Sequence, residues 1–176
     1  MTKNEFKLST IFKIAAAAIF AALVAVATLL FIIPIPATSG YFNLGETFIY
    51  VAALLFGSIV GATAGAGATI ADILVAVQFA PGTFAIKGIE GLIVGFANSK
   101  LKKRSGSVTL SAVISIVIGG LEMVLGYFIY EQLVLGYPLA AALVEMPFNI
   151  VQMLIGLIIA VPVMHAIIRV FPQLKS

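Results

Sequence analysis

The chain has 176 residues, 62% of them hydrophobic and 10% charged, far from the roughly one quarter charged of a soluble domain. Water is not the solvent of such a chain. Having no cysteine, it has no disulfide framework, thiolate metal site or thiol nucleophile, and its net charge of +3 reports orientation in a membrane, not a nucleic-acid partner.

In chain order, the first apolar run, Ile14 to Ile33, is interrupted only by Thr28. At about 1.5 Å per residue it crosses a hydrocarbon core of about 30 Å. It ends in Pro34 and Pro36 instead of a small-residue cleavage site, so a retained helix is expected rather than an export signal. Five further runs, broken by Gly, Pro or charge, complete a set of six predicted transmembrane helices at about 10–33, 46–57, 59–79, 84–98, 107–130 and 139–170. The fold class is all-α and polytopic, one transmembrane domain over 1–176, with the second and fourth helices shorter than a standard span.

Basic residues fix the expected orientation, because cytoplasmic loops carry the excess of Lys and Arg. An N-terminus inside places Lys3, Lys7, Lys13, Lys100, Lys102, Lys103, Arg104, Arg169 and Lys175 on the cytoplasmic side, and the C-terminus with them. Segments 34–45, 80–83 and 131–138 are then external, and 57–58 and 98–107 internal. The segment 34–45, held by Pro34 and Pro36, is expected to act either as a lid over a cavity mouth or as a plain connector.

On that topology every acid except Glu5 falls in the outer half: Glu46, Asp72, Glu90, Glu122, Glu131 and Glu145, with Lys87 among them. Ionisable groups in membrane helices are costly unless paired or facing a wet cavity, which makes them candidates for function. Lys87 and Glu90, three apart, share a helix face and suit an ion pair. Tyr41, Tyr50, Tyr127, Tyr130 and Tyr137 also map outward, whereas Phe6, Phe12, Phe56, Phe96 and Phe171 lie inward. Phenols beside Asn43, Gln78, Asn149 and Gln152 suit a flat polar heterocycle. The expected binding residues are Asn43, Glu46, Tyr50, Asp72, Phe79, Phe84, Lys87, Glu90, Tyr127, Asn149 and Gln152, with Phe79 or Phe84 as a stacking wall.

Small residues four apart allow close helix approach in lipid. Helix 1 carries Ala17 with Ala21 and Ala18 with Ala22, and helix 3 carries Gly57, Gly61 and Gly65. Two such faces leave one for a membrane partner. Gly65-Ala66-Gly67-Ala68 is no nucleotide loop, since no Lys follows it and no strand precedes it, and the chain has no Walker-type Gly-Lys-Ser/Thr. Energy from ATP must come from another subunit. No metal-ligand spacing or nucleophile–base pair accompanies the lone His165, so an enzyme is not expected, nor is any cofactor.

These blocks together resemble the S components of energy-coupling factor (ECF) transporters over nearly the whole chain. The resemblance lies in Asn43-Leu44-Gly45-Glu46, Ala52-Ala53-Leu54-Leu55-Phe56-Gly57, Ala71-Asp72, and Ala80-Pro81-Gly82-Thr83 leading to Lys87-Gly88-Ile89-Glu90-Gly91. They look like the subgroup assigned to hydroxymethylpyrimidine, pyridoxine or riboflavin. With no tryptophan, the chain departs from the aromatic-rich thiamine branch. The resemblance implies capture of a vitamin outside and docking on a transmembrane coupling subunit carried by two ATPases. It assigns the docking face to Ala17, Ala18, Ala21 and Ala22. The rival expectation is a self-sufficient proton-coupled carrier, which would normally show an internal repeat that these halves lack.

Overall fold

The computed structural model describes residues 9–175. Lys3, Glu5, Phe6 and Lys7 lie outside the described residues, as does the side chain of Lys175. Six α-helices follow one another: α1 (Thr10–Leu30), α2 (Gly45–Phe56), α3 (Ser58–Val75), α4 (Ala80–Ser105), α5 (Val108–Leu133) and α6 (Leu139–Val170). Four of them, α1, α3, α5 and α6, are long and apolar enough to cross a membrane. Their outward faces carry bare Ile, Leu and Phe, including Ile11, Ile59, Ile118 and Ile158, as lipid-facing surfaces do.

Start and stop chemistry is local. The Ser9 hydroxyl accepts the Phe12 N–H at 3.2 Å, and Ser107 does the same for Leu110 at 3.2 Å, each capping a helix. The α4 helix has Pro81 in its first turn and ends on Gly106 at φ 68°, with Lys102, Lys103 and Arg104 in the last turn, where cations oppose the negative end of the macrodipole.

Several helix ends depart from the sequence expectation. Residues 31–33 leave the first helix, because Ile33–Ile35 pairs antiparallel with Gly40–Phe42 in a short hairpin, β1 with β2, in the register Ile33↔Phe42, Pro34↔Tyr41 and Ile35↔Gly40. The third helix stops at Val75. The fourth runs 26 residues, back to Ala80 and on through the basic run to Ser105. It is therefore long enough to span, and only its charges set it apart from the four apolar helices.

The α2 helix is only 12 residues long, yet it is the central one. Residues 49 to 55 are all buried, and it packs against α1, α3, α4 and α6. Its first turn therefore starts inside the bundle, with the hairpin above it. Small residues draw α3 against α4: a Cβ on Gly91 would lie 2.3 Å from the Gly61 carbonyl carbon, and one on Gly65 would lie 2.5 Å from the Lys87 carbonyl oxygen. The Gly61 and Gly65 stripe is thus spent inside the monomer. Ala17 is likewise buried, in a cluster with Ala64 and Ala68 of α3, and a Cβ on Gly67 would strike the Ala21 carbonyl oxygen at 2.0 Å. Ala17 is therefore used inside the monomer, a correction to its expected role at a partner; Ala21 touches α3 through its backbone with its side chain half-buried, and Ala18 and Ala22 are exposed.

Candidate functional site

The α2 start, the turns of α4 to α6 nearest the hairpin, and the hairpin itself converge on one polar cavity. It is lined by Thr28, Tyr41, Asn43, Asp72, Phe79 and Thr83, by Lys87, Tyr127, Glu145, Asn149 and Gln152, and by Gly40 and Ala68. The opposite end of the bundle gathers the basic residues: Lys13 lines a groove with Ser58 and Ser99, and His165 of α6 meets Thr109 of α5 at 2.9 Å.

Lys87 organises the floor. It is 2% exposed, its ammonium group contacts the Glu46 carboxylate, and it lies 3.5 Å from Glu90 Oε2. The Tyr127 ring centroid is 5.2 Å from the same nitrogen, a cation–π geometry. Glu90, completely buried, accepts the Tyr50 phenol at 2.8 Å. Gln152 joins the floor to the roof: its amide donates to Glu46 Oε1 at 2.9 Å and its carbonyl accepts the Asn43 N–H at 2.9 Å. Asn43 Oδ1 in turn accepts the Gly45 N–H at 2.8 Å. One chain of hydrogen bonds thus ties α6, α2 and the segment after the hairpin together.

The hairpin is fastened at two further points. The Tyr41 phenol donates to Asp72 of α3, and the Thr38 hydroxyl donates to Glu145 of α6. Burial first, and then the Asp72 carboxylate beside it, push the Tyr41 phenol well above the ordinary tyrosine value, so it remains a donor. On the far wall the Thr83 and Tyr127 hydroxyls meet at 2.8 Å.

Of the residues expected from sequence, Asn43, Asp72, Phe79, Lys87, Tyr127, Asn149 and Gln152 line the cavity. Glu46, Tyr50 and Glu90 lie in the layer beneath and hold Lys87. Phe84 does not belong with them. It is 64% exposed, because the inward stripe of α4 runs through Thr83, Lys87, Glu90 and Val94 and leaves Phe84 on the outward one with Leu92 and Phe96. Phe79, the other aromatic expected there, is 4% exposed and lines the cavity. Thr28, Tyr41, Thr83 and Glu145 also line the cavity, outside the set expected from sequence. For Thr83 the signal was available: it sits one turn before Lys87, on the same face.

The family described as ECF-type riboflavin transporter, S component, matches residues 8–169. A Pyrococcus woesei chain described as an uncharacterized protein in the gap 3′ region is 41% identical over 137 residues, 77% of this chain and 88% of that one. Among solved structures, the S component of a bacterial ECF transporter superposes with a TM-score of 0.71 over 93% of this chain and 99% of that one, at 16% identity. The S component for biotin from an ECF-type ABC transporter gives 0.65 over 93% and 94%, at 19% identity. At those identities the two structures speak for the fold alone. Because the family match runs through all six helices, the chain belongs to the ECF-type riboflavin transporter S components: it is a multi-pass membrane protein and a substrate-binding transport subunit, not an enzyme.

Proposed function

We propose that the chain captures riboflavin at the cavity beneath the hairpin, from outside the cell, with its N- and C-termini in the cytoplasm. The observation that carries this reading is the buried Lys87, held by Glu46 and Glu90 directly under a roof tied down by Asn43 and Gln152. Ionisable groups gathered inside a membrane protein, even when paired, point by default to a substrate or ion site. The side-chain amides of Asn43, Asn149 and Gln152 offer the alternating donors and acceptors that the dione edge of a flavin ring presents, and Phe79 and Tyr127 offer faces to stack on. Lys87 is the one basic residue among those lining the cavity, against Asp72 and Glu145, which suits a neutral vitamin better than its phosphate ester. The family match favours riboflavin over hydroxymethylpyrimidine and pyridoxine, whose flat hydroxylated rings the same groups would accept.

The interior space is about 30 Å³, room for roughly one water, whereas ligand sites run to about 300 Å³ or more. The hairpin must lift, or its side chains part, for a ring to enter; in this reading segment 34–45 is a lid. The exposed Ala18 and Ala22 stripe of α1 is the surface that docks on the coupling subunit, which two ATPases drive. Mass spectrometry of small molecules co-purified with the protein from cells grown with riboflavin tests the assignment. Riboflavin at near one per chain is expected; a different vitamin would reassign the substrate, and no organic ligand would remove the reading.

A further inference from the structure

Glu131 stands in the last turn of α5 with its side chain turned inward and completely buried. Among the described residues neither of its carboxyl oxygens has a hydrogen-bond donor. The group it meets is a second carboxyl, Glu145 of α6. Two carboxylates offer only acceptors and repel, so such a contact is attractive when one of the two carries a proton. Glu145 also bears the hairpin. It accepts the Thr38 hydroxyl, which itself accepts the Gly40 N–H at 3.2 Å, and a Cβ on Gly40 would lie 2.5 Å from Glu145 Oε1. The hairpin backbone therefore rests on this carboxyl with no side chain between.

The other titratable groups around the pair are already engaged. The phenol of Tyr137, in the loop after α5, is hydrogen-bonded to Gln78, and burial and then Glu145 raise it above the ordinary value. From α5, Tyr127 meets Thr83 and Tyr130 donates to the Gln78 carbonyl. From the hairpin, Tyr41 is bound to Asp72. Across the cavity Lys87 pairs with Glu46 and Glu90, and among the described residues no salt bridge reaches Glu131 or Glu145.

We propose that Glu131 and Glu145 form a proton-binding site, in which one shared proton fixes Glu145 beneath Thr38 and holds the hairpin down. Loss of that proton as pH rises sets two negative charges in contact and frees the hairpin. The proposal rests on the reading of segment 34–45 as the lid of the binding cavity.

The chain has no cysteine, so Ala37→Cys, at an exposed position of the hairpin turn, accepts a single spin label. In detergent, label mobility is expected to rise between about pH 5 and about pH 9 in the otherwise native chain, with riboflavin release accelerating by about tenfold or more, the equivalent of a one-unit difference in proton affinity between the closed and open hairpin. Glu131→Gln, whose amide donates to Glu145 at any pH, should keep the label immobile and release slow throughout. Thr38→Val should leave the label mobile throughout. An unchanged pH profile in Glu131→Gln overturns the proton site. Should that variant fail to fold, infrared difference spectra of the native chain decide: a protonated-carboxyl band that vanishes over the same range supports the site, and its absence overturns it. A label that titrates in a chain that binds no riboflavin keeps the proton site and removes the vitamin reading. Riboflavin binding with a pH-independent label does the reverse.

Discussion

The Lys87 ammonium group lies in direct contact with the Glu46 carboxylate, joining α4 to α2 where neither side chain reaches solvent. Removing one partner of such a pair leaves the other as a buried, uncompensated charge, at about 3–5 kcal/mol. Lys87→Met should therefore lower the thermal unfolding midpoint in detergent markedly and weaken vitamin binding. Adding Glu46→Gln should recover part of the stability without recovering the affinity. If the single variant is as stable as the native chain, the pair is not held as described.

Gly91 and Gly88 lie three residues apart on α4 and differ in what they face. A Cβ at Gly91 would meet the Gly61 backbone, while one at Gly88 would find nothing within 4 Å. Gly91→Val should separate α3 from α4 at a cost of about 1–3 kcal/mol or more, displacing Lys87 with them, and Gly88→Ala should be neutral. Size-exclusion profiles and unfolding midpoints of the two variants separate local packing from mere helix propensity.

The Tyr41 phenol ties the hairpin to Asp72. Hydrogen bonds to a charged group contribute about 1.5–3 kcal/mol, so Tyr41→Phe should speed vitamin release by about tenfold or more, with a smaller effect on association. Stopped-flow fluorescence reads both rates. Equal release rates would show that this contact does not hold the lid.

Ala18 and Ala22 face outward, one turn apart. Ala18→Trp with Ala22→Trp should abolish ATP-driven uptake in vesicles containing the coupling subunit and ATPases, and leave binding by the solitary chain unchanged. Normal uptake by the double variant would move the docking face elsewhere. Trp at Ala17 should instead disturb folding, because that side chain is buried against α3.

Much of this architecture is legible in the residues. Apolar runs and their breakers mark six helices, and the asymmetry of acids and phenols marks the end that carries the cavity. The α3–α4 contact was visible as small residues but not its partner, because a glycine stripe states only that something comes close. The hairpin is not legible in the sequence, because Ile33-Pro34-Ile35-Pro36 contains two prolines and each strand has three residues; only their mutual pairing and the buried Ile35 define them. The helical state of Lys100 to Arg104 was hidden by charge, although Gly106 and the favourable dipole make that run a sound helix end. Phe84 stands three residues before Lys87, a spacing that leaves its face undecided; only the packing of α4 turns it outward.

Calorimetric titration of riboflavin into the purified chain, alone in detergent, tests the central claim most directly. Saturable one-to-one binding at submicromolar concentration, weakened at least about a hundredfold, or about 2.7 kcal/mol, by Lys87→Met, is the expected result. Full riboflavin affinity in Lys87→Met would contradict the placement of the site, and no heat from riboflavin, hydroxymethylpyrimidine or pyridoxine would contradict vitamin capture itself.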